Sequence, residues 1–206
     1  VPDLQRRGPR SDARRNDQRI LEAAARVLAD DPRATIQWIA DEAGVVRLTV
    51  YRRYANRDAL RRAVFEAAAE EAQRAIEHAT ARELSALAAL RELVVAMAGI
   101  VGRYPLLSVG TDLQPLPGDS RRPPAPPSSR AMQKAFVELI RRGQAEGSLR
   151  PDLRPELLAQ AVVGTLRLAS RFSRSSGGSS GGELGAEVAD LVLNGAVINQ
   201  TGRFVG

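Results

Sequence analysis

Of its 206 residues the chain has no cysteine, a single histidine (His78), a single lysine (Lys134) and a single tryptophan (Trp38). Without cysteine there can be no disulfide, no thiolate metal site and no cysteine nucleophile. One histidine excludes a site built on two or more imidazoles. No apolar run approaches the roughly 18 residues of a membrane span. No charged segment precedes a hydrophobic one as in a signal peptide. The expectation is a soluble, cytoplasmic protein that neither crosses nor enters a membrane. Ser108, His78 and Asp112 are the side-chain types of a catalytic triad, but His78 falls near the polar C-terminal end of a helix, where a surface role is the ordinary one. No nucleophile elbow, phosphate-binding glycine loop or metal-ligand pair is visible, so the sequence predicts no catalysis, no metal and no cofactor.

What is present is charge of one sign in one place. Net charge is +6. Residues 1–62 hold 14 arginines against nine acidic residues, while the remainder is close to neutral. The preference for arginine over lysine is a matter of composition; its concentration at one end is the footprint that phosphate binding requires. The apolar fraction of 44% is enough for a sizeable core.

Helical periodicity runs through most of the chain. Residues 1–16 carry Arg6, Arg7, Arg10, Arg14 and Arg15 with almost nothing apolar, and read as a disordered basic arm that can follow phosphates or enter a minor groove. A first helix is predicted from Asp17 to Ala29, stopped by Asp30-Asp31-Pro32. Thr35 caps a second, whose inward face is Ile36, Ile39, Ala40 and Ala43. Gly44 ends it, because glycine takes the left-handed conformation without steric cost. A short third helix carries Arg47, Thr49, Arg52 and Arg53 outward with Val50 and Tyr54 pointing back. Asn56 caps a long fourth helix reaching about Ala81. Beyond Glu83 come apolar helices at 84–103 and from Ser128 or Ser129 to Glu146, then one opened by Pro155, and a last one at 183–198. A short helix is expected at 106–113. Residues 114–129 hold six prolines and cannot be regular helix, and 173–182 reads as a Ser/Gly linker.

Two short helices about a glycine turn form a helix-turn-helix unit, whose second helix fits the major groove of DNA. Within it, Ile39-Ala40, Ala43-Gly44-Val45, Thr49, Tyr51, Tyr54 and Asn56-Arg57-Asp58-Ala59-Leu60 follow one another in an order that resembles the DNA-binding segment of the tetracycline-repressor (TetR) family of transcriptional regulators. The segment is about an eighth of the chain. Three places depart from the family pattern. Val46 stands where a small polar cap is usual, which forgoes about 1 kcal/mol. Leu48 replaces a small residue, and Trp38 a polar one.

The fold class expected is all-α: a helix-turn-helix head at 17–62, joined by a long helix to a helical ligand-binding and dimerisation domain at 63–206. On the head, Arg47, Thr49 and Arg53 are candidates for base edges or groove-wall phosphates. Tyr51, Arg52 and Arg57 are candidates for the backbone, Arg57 being favoured by its helix N-terminus. Trp38 can donate its indole N–H to a phosphate or pack over a neighbouring helix, and Thr35 lies beside it. In the second domain, Phe65, Ala69, Val94, Met97, Val101, Phe136, Ile140 and Leu166 lie on inward faces. They line either a filled core or an apolar, aromatic-poor pocket, for which Tyr104, Asp112 and Arg167 are the available polar groups. The helix from Pro155 is apolar around most of its circumference and so demands cover on two sides. Leu157, Ala161, Gly164 and Leu168, with Leu184, Val188, Leu191 and Val192 of the last helix, are the expected dimer interface, Gly164 and Ala161 allowing close backbone approach. The resemblance implies a homodimer on a palindromic operator in double-stranded DNA, and a repressor released by a small-molecule effector. The rival reading is a small-molecule-binding or scaffold protein that keeps the head without a specific operator.

Overall fold

In the computed structural model, which describes residues 9–81, 84–108, 127–175 and 181–195, the periodic segments are helices with ends set by local chemistry. Helix α1 spans Pro9–Asp30, α2 Ile36–Ala43, α3 Arg47–Arg53 and α4 Arg57–Ala81. Helix α5 spans Ala86–Arg103, followed by a 3-10 turn at Pro105–Ser108. The remaining helices are α6, Pro127–Ala145, α7, Pro155–Ser175, and α8, Gly181–Leu193. The architecture is all-α, as expected.

The first helix differs from the sequence expectation. It starts at Pro9, so residues 9–16 are helical and Asp17 lies inside the helix instead of at its end. Proline suits a first helical position, where its missing N–H costs nothing, and the Arg/Ala-rich segment after it has good helix propensity. The same turns are also held from outside by α3, as described below. At the other end Asp31 accepts from the Arg33 amide (2.8 Å) and closes the turn before α2.

The chain divides into two compact units. The first consists of the chain up to Ala68 together with the segment from Arg103. Its core is Ile20, Ala24, Val27 and Leu28 of α1, Ile39 and Ala40 of α2, Val50 of α3, and Leu60 and Val64 of α4, with Tyr104 fully buried beside them. By contacts the first unit runs into α4 as far as Ala68 and takes in a segment that begins 35 residues further along, at Arg103. Tyr104 explains the recruitment: its hydroxyl accepts from Gln18 Nε2 (2.8 Å), which also donates to Glu22 (2.9 Å).

The second unit holds α5, α6, α7 and α8 with the C-terminal part of α4. Helix α7 packs on both α6 and α8. Helix α8 lies very close to α5. A Cβ built on Gly185 would stand 2.7 Å from the Val95 Cα and 2.9 Å from the Ala98 Cβ, and one on Gly181 would stand 3.0 Å from the Gly99 Cα. Arg91 of α5 reinforces the pair, donating to Asp190 (2.5 Å) and Asn194 (2.9 Å). Glu146, at the end of α6, accepts from the Ala86 amide (2.8 Å) and so caps α5 from another element. Seating against α5 also explains why α8 begins at Gly181, inside the expected linker, while α7 keeps Ser173–Ser175 helical.

Candidate functional site

Each turn of the helix-turn-helix is locally specified. Thr35 Oγ1 accepts from the Trp38 amide (3.2 Å) and caps α2. Gly44 has φ +63° and its amide returns to the end of α2, bonding Asp41 O (3.0 Å). A side chain there would be strained by the backbone and would meet Arg19 Nη2 at 2.5 Å. Val46 begins α3 with no side-chain cap, so its carbonyl, accepting from Thr49 N (2.8 Å), is what closes the first turn. Asn56 Oδ1 accepts from the Ala59 amide (2.8 Å) and caps α4.

Val50 is buried, and Arg47, Leu48, Tyr51 and Arg52 of α3 are exposed, with Thr49 partly so. Arg47 lies over the Tyr51 ring (5.1 Å to its centroid) and donates to the Tyr51 hydroxyl (3.1 Å). The two therefore form a preorganised cation–aromatic pair on the outward face. Trp38 of α2 is 48% exposed, and with Val46, Leu48 and Tyr51 it makes this a partly apolar face. Such a face suits thymine methyl groups and sugars as well as phosphates. Thr35 and Arg57 are exposed at the starts of α2 and α4, where backbone amides favour an anion.

Arg53 is placed differently from the sequence expectation. Its Nη1 is 2.9 Å from Asp17 Oδ2, and its Nη2 donates to the Ala13 carbonyl (3.2 Å). The guanidinium is turned onto α1. The Tyr54 hydroxyl donates to the other Asp17 oxygen (2.8 Å). Burial, with Asp17 adding to it, pushes the Tyr54 pKa well above the usual tyrosine value. Asp17 was not among the expected functional residues. An acidic residue in a basic segment with a tyrosine and an arginine at α3's end was the available signal.

The expected ligand residues do not all fall in one unit. Phe65 and Tyr104 belong to the head, Phe65 exposed and Tyr104 buried against α1. Asp112 lies outside the described residues. Val94 and Met97 of α5, Phe136 and Ile140 of α6, and Leu166 of α7 are all buried in the second unit, with Ala69, Val101 and Arg167 half-buried. Desolvation holds the Arg167 guanidinium below the ordinary arginine pKa. Of the triad types, Ser108 is buried in the head and His78 is exposed in the second unit beside Glu92 (3.7 Å).

Of the expected interface, Leu157 (56% exposed) and Leu168 (68%) lie along one side of α7, and Phe172 (73%), which was not expected there, continues that side. Ala161 is exposed on the same side, and a Cβ on Gly164 would meet nothing within 4 Å. Leu191 of α8 is 73% exposed and Val192 half-buried. Leu184 and Val188, expected at the interface, are instead buried within the chain, on the face of α8 that carries Gly185 against α5. Within the chain, close backbone approach is made by Gly181 and Gly185 against α5.

Comparisons with known proteins agree with this geometry. A model described as bacterial regulatory proteins, tetR family, matches residues 20–64. A tetracyclin repressor-like C-terminal domain model matches residues 83–196. No curated protein matches the sequence. Among solved structures, the ketosteroid transcriptional regulator KstR2 of Mycobacterium tuberculosis is similar at 20% identity and a TM-score of 0.69, over 90% of this chain and 96% of that one. The regulator FadR of Bacillus subtilis, in complex with stearoyl-CoA, is similar at 18% identity and 0.59, over 86% and 97%. A TetR transcriptional regulator of Streptomyces coelicolor is similar at 25% identity and 0.57, over 88% and 98%. Among the described residues no helix is long and apolar enough to cross a membrane.

Proposed function

This chain belongs to the tetR family and is a ligand-responsive, DNA-binding transcriptional regulator that acts as a dimer, and on that premise we propose that it is a cytoplasmic repressor released from a palindromic operator by a small, mostly apolar effector. The observation that carries the proposal is one recognition helix with Arg47, Thr49, Tyr51 and Arg52 turned outward, in a chain whose second unit has an aliphatic interior. Trp38, Thr35 and Arg57 flank that helix as backbone contacts.

The effector's place in this reading is among Val94, Met97, Val101, Phe136, Ile140 and Leu166, with Arg167 as the group that orients a polar or anionic end. A desolvated guanidinium is a strong donor to such an end. The Bacillus subtilis relative is in complex with stearoyl-CoA, whose acyl chain, though not its large polyanionic headgroup, matches an interior of this kind. Two protomers meet across Leu157, Ala161, Gly164, Leu168 and Phe172 of α7 and Leu191 of α8. In this reading the two recognition helices must lie one DNA turn apart, roughly 34–36 Å, or a related spacing, to enter successive major grooves. Release requires an effector that prefers the conformation in which that spacing is lost. The reading assigns the protein no catalytic step. A scaffold without an operator gives no reason for the outward Arg47–Tyr51 pair.

Selection of duplexes from a random pool tests the proposal. A palindrome bound at least about 10³-fold more tightly than scrambled DNA is expected, and addition of long-chain acyl-CoA should release it. A reporter placed behind that palindrome should be silenced by the protein. A protein that enriches no sequence would refute operator binding, and one that activates the reporter would refute repression.

A further inference from the structure

We infer that Asp17, Arg53 and Tyr54 form a clasp that sets the pose of the recognition helix, making Asp17 and Arg53 positioning residues for operator reading and not groups that touch DNA. The inference rests on the DNA-reading function proposed above.

Helix α3 packs on α2 but buries little of itself. It has seven residues, less than two full turns, and Val50 is its only fully buried side chain. Its first turn lacks a side-chain cap. The anchors lie at its C-terminal end, where Arg53 and Tyr54 both reach α1. Both oxygens of Asp17 are engaged, Oδ2 by Arg53 Nη1 (2.9 Å) and Oδ1 by the Tyr54 hydroxyl (2.8 Å). Arg53 also reaches the Ala13 carbonyl through Nη2 (3.2 Å), so its fork grips α1 at two positions one turn apart. About two-thirds of each side chain in the ion pair is shielded from solvent. The raised pKa of Tyr54 keeps its hydroxyl a donor even above pH 10, where an ordinary tyrosine ionises.

Small errors of pose matter for a reader of this length. Seven residues span about 10 Å along the axis. A tilt of about 10° pivoting at Arg53 would therefore carry the Arg47 end through roughly 2 Å. Hydrogen bonds to base edges tolerate only a few tenths of an ångström around roughly 2.9 Å. A carboxylate near the DNA-facing surface is itself unfavourable to phosphate. Asp17 therefore weakens nonspecific attraction, and what it contributes in return is the geometry of α3.

That opposition gives Asp17→Asn a distinctive signature. Affinity is measured for a duplex selected by the wild-type protein from a random pool, and for a scrambled duplex of equal length. If the wild type selects nothing, the DNA-reading function itself fails, which is a separate result. Otherwise Asp17→Asn should bind the selected duplex about tenfold more weakly, as expected for losing a charge-assisted contact, while binding scrambled DNA as well or better. A gain on the selected duplex would show that Asp17 holds Arg53 back from DNA, and would overturn the inference. An equal loss on both duplexes would reduce the clasp to a folding contact, and would overturn it too. Should Asp17→Asn not fold, Tyr54→Phe keeps the ring and every charge while removing one bond to Asp17. It should lower the ratio of selected to scrambled affinity in the same direction; an unchanged ratio refutes the clasp.

Discussion

Alanine placed at two glycines of the second unit should have opposite effects, and the difference between them isolates one contact. At Gly185 the new Cβ would stand 2.7 Å from the Val95 Cα, 2.9 Å from the Ala98 Cβ and 3.3 Å from the Val95 carbonyl oxygen. Carbon atoms rest at about 3.5–4.0 Å, so α8 must retreat from α5 by roughly 1 Å. Two of the three obstructing atoms are backbone and the third is a Cβ, so no rotamer change relieves them. The retreat loosens the buried Leu184 and Val188. Overpacking of this kind costs about 1–3 kcal/mol. At Gly164 nothing lies within 4 Å of the added methyl. Both substitutions gain the same helix propensity, about 1 kcal/mol, which cancels when one variant is compared with the other. The Gly185→Ala protein should therefore be less stable than Gly164→Ala by about 2 kcal/mol. For a chain of this size that is roughly 4–8 °C in melting temperature. Circular dichroism melts of both variants over a series of protein concentrations, which separates any change in dimer affinity at Gly164 from the stability of the fold itself, read it directly. Coincident melts, or a Gly185→Ala melt above that of Gly164→Ala, would refute the seating of α8 on α5.

Leu168→Arg should give monomers by light scattering and lose most operator affinity, since one head forfeits the effective concentration supplied by its twin; a dimer of ordinary affinity would move the interface off the outer side of α7. Gly44→Ala should destabilise the head by about 1–2 kcal/mol, because a side chain at φ +63° is strained and also displaces Arg19; an unchanged melt would remove the positive-φ turn. Stability should fall as pH rises above about 10, where an unfolded tyrosine ionises, because Tyr54 holds its proton more tightly in the fold. That contribution is complete below this pH and is lost above it, so Tyr54→Phe should flatten the fall, and an identical alkaline slope would show that Tyr54 does not cause it.

Much of the head was legible from its sequence because its determinants are local. Thr35 caps α2 three residues before Trp38, Gly44 supplies a positive φ, Asn56 caps α4, and Ile36, Ile39, Ala40 and Ala43 repeat at helical spacing. Each is a relation between residues within one or two turns, so the order of amino acids states it directly. The same holds for the length of α4 and the apolar character of α7. What only the tertiary structure decided are relations between distant residues. Periodicity shows that α7 is apolar on several sides; contact with α6 and α8 decides that Leu158, Val162 and Leu166 are covered while Leu157, Leu168 and Phe172 are not. Gly164 and Gly185 look alike in sequence, yet only Gly185 has a helix backbone against it. Arg53 reads as one more outward arginine until Asp17, 36 residues earlier, takes its guanidinium. Tyr104 reads as part of the apolar C-terminal domain until Gln18 places it in the head. A side chain's neighbours across the fold depend on how whole helices pack, and that packing balances many weak contacts no local pattern records.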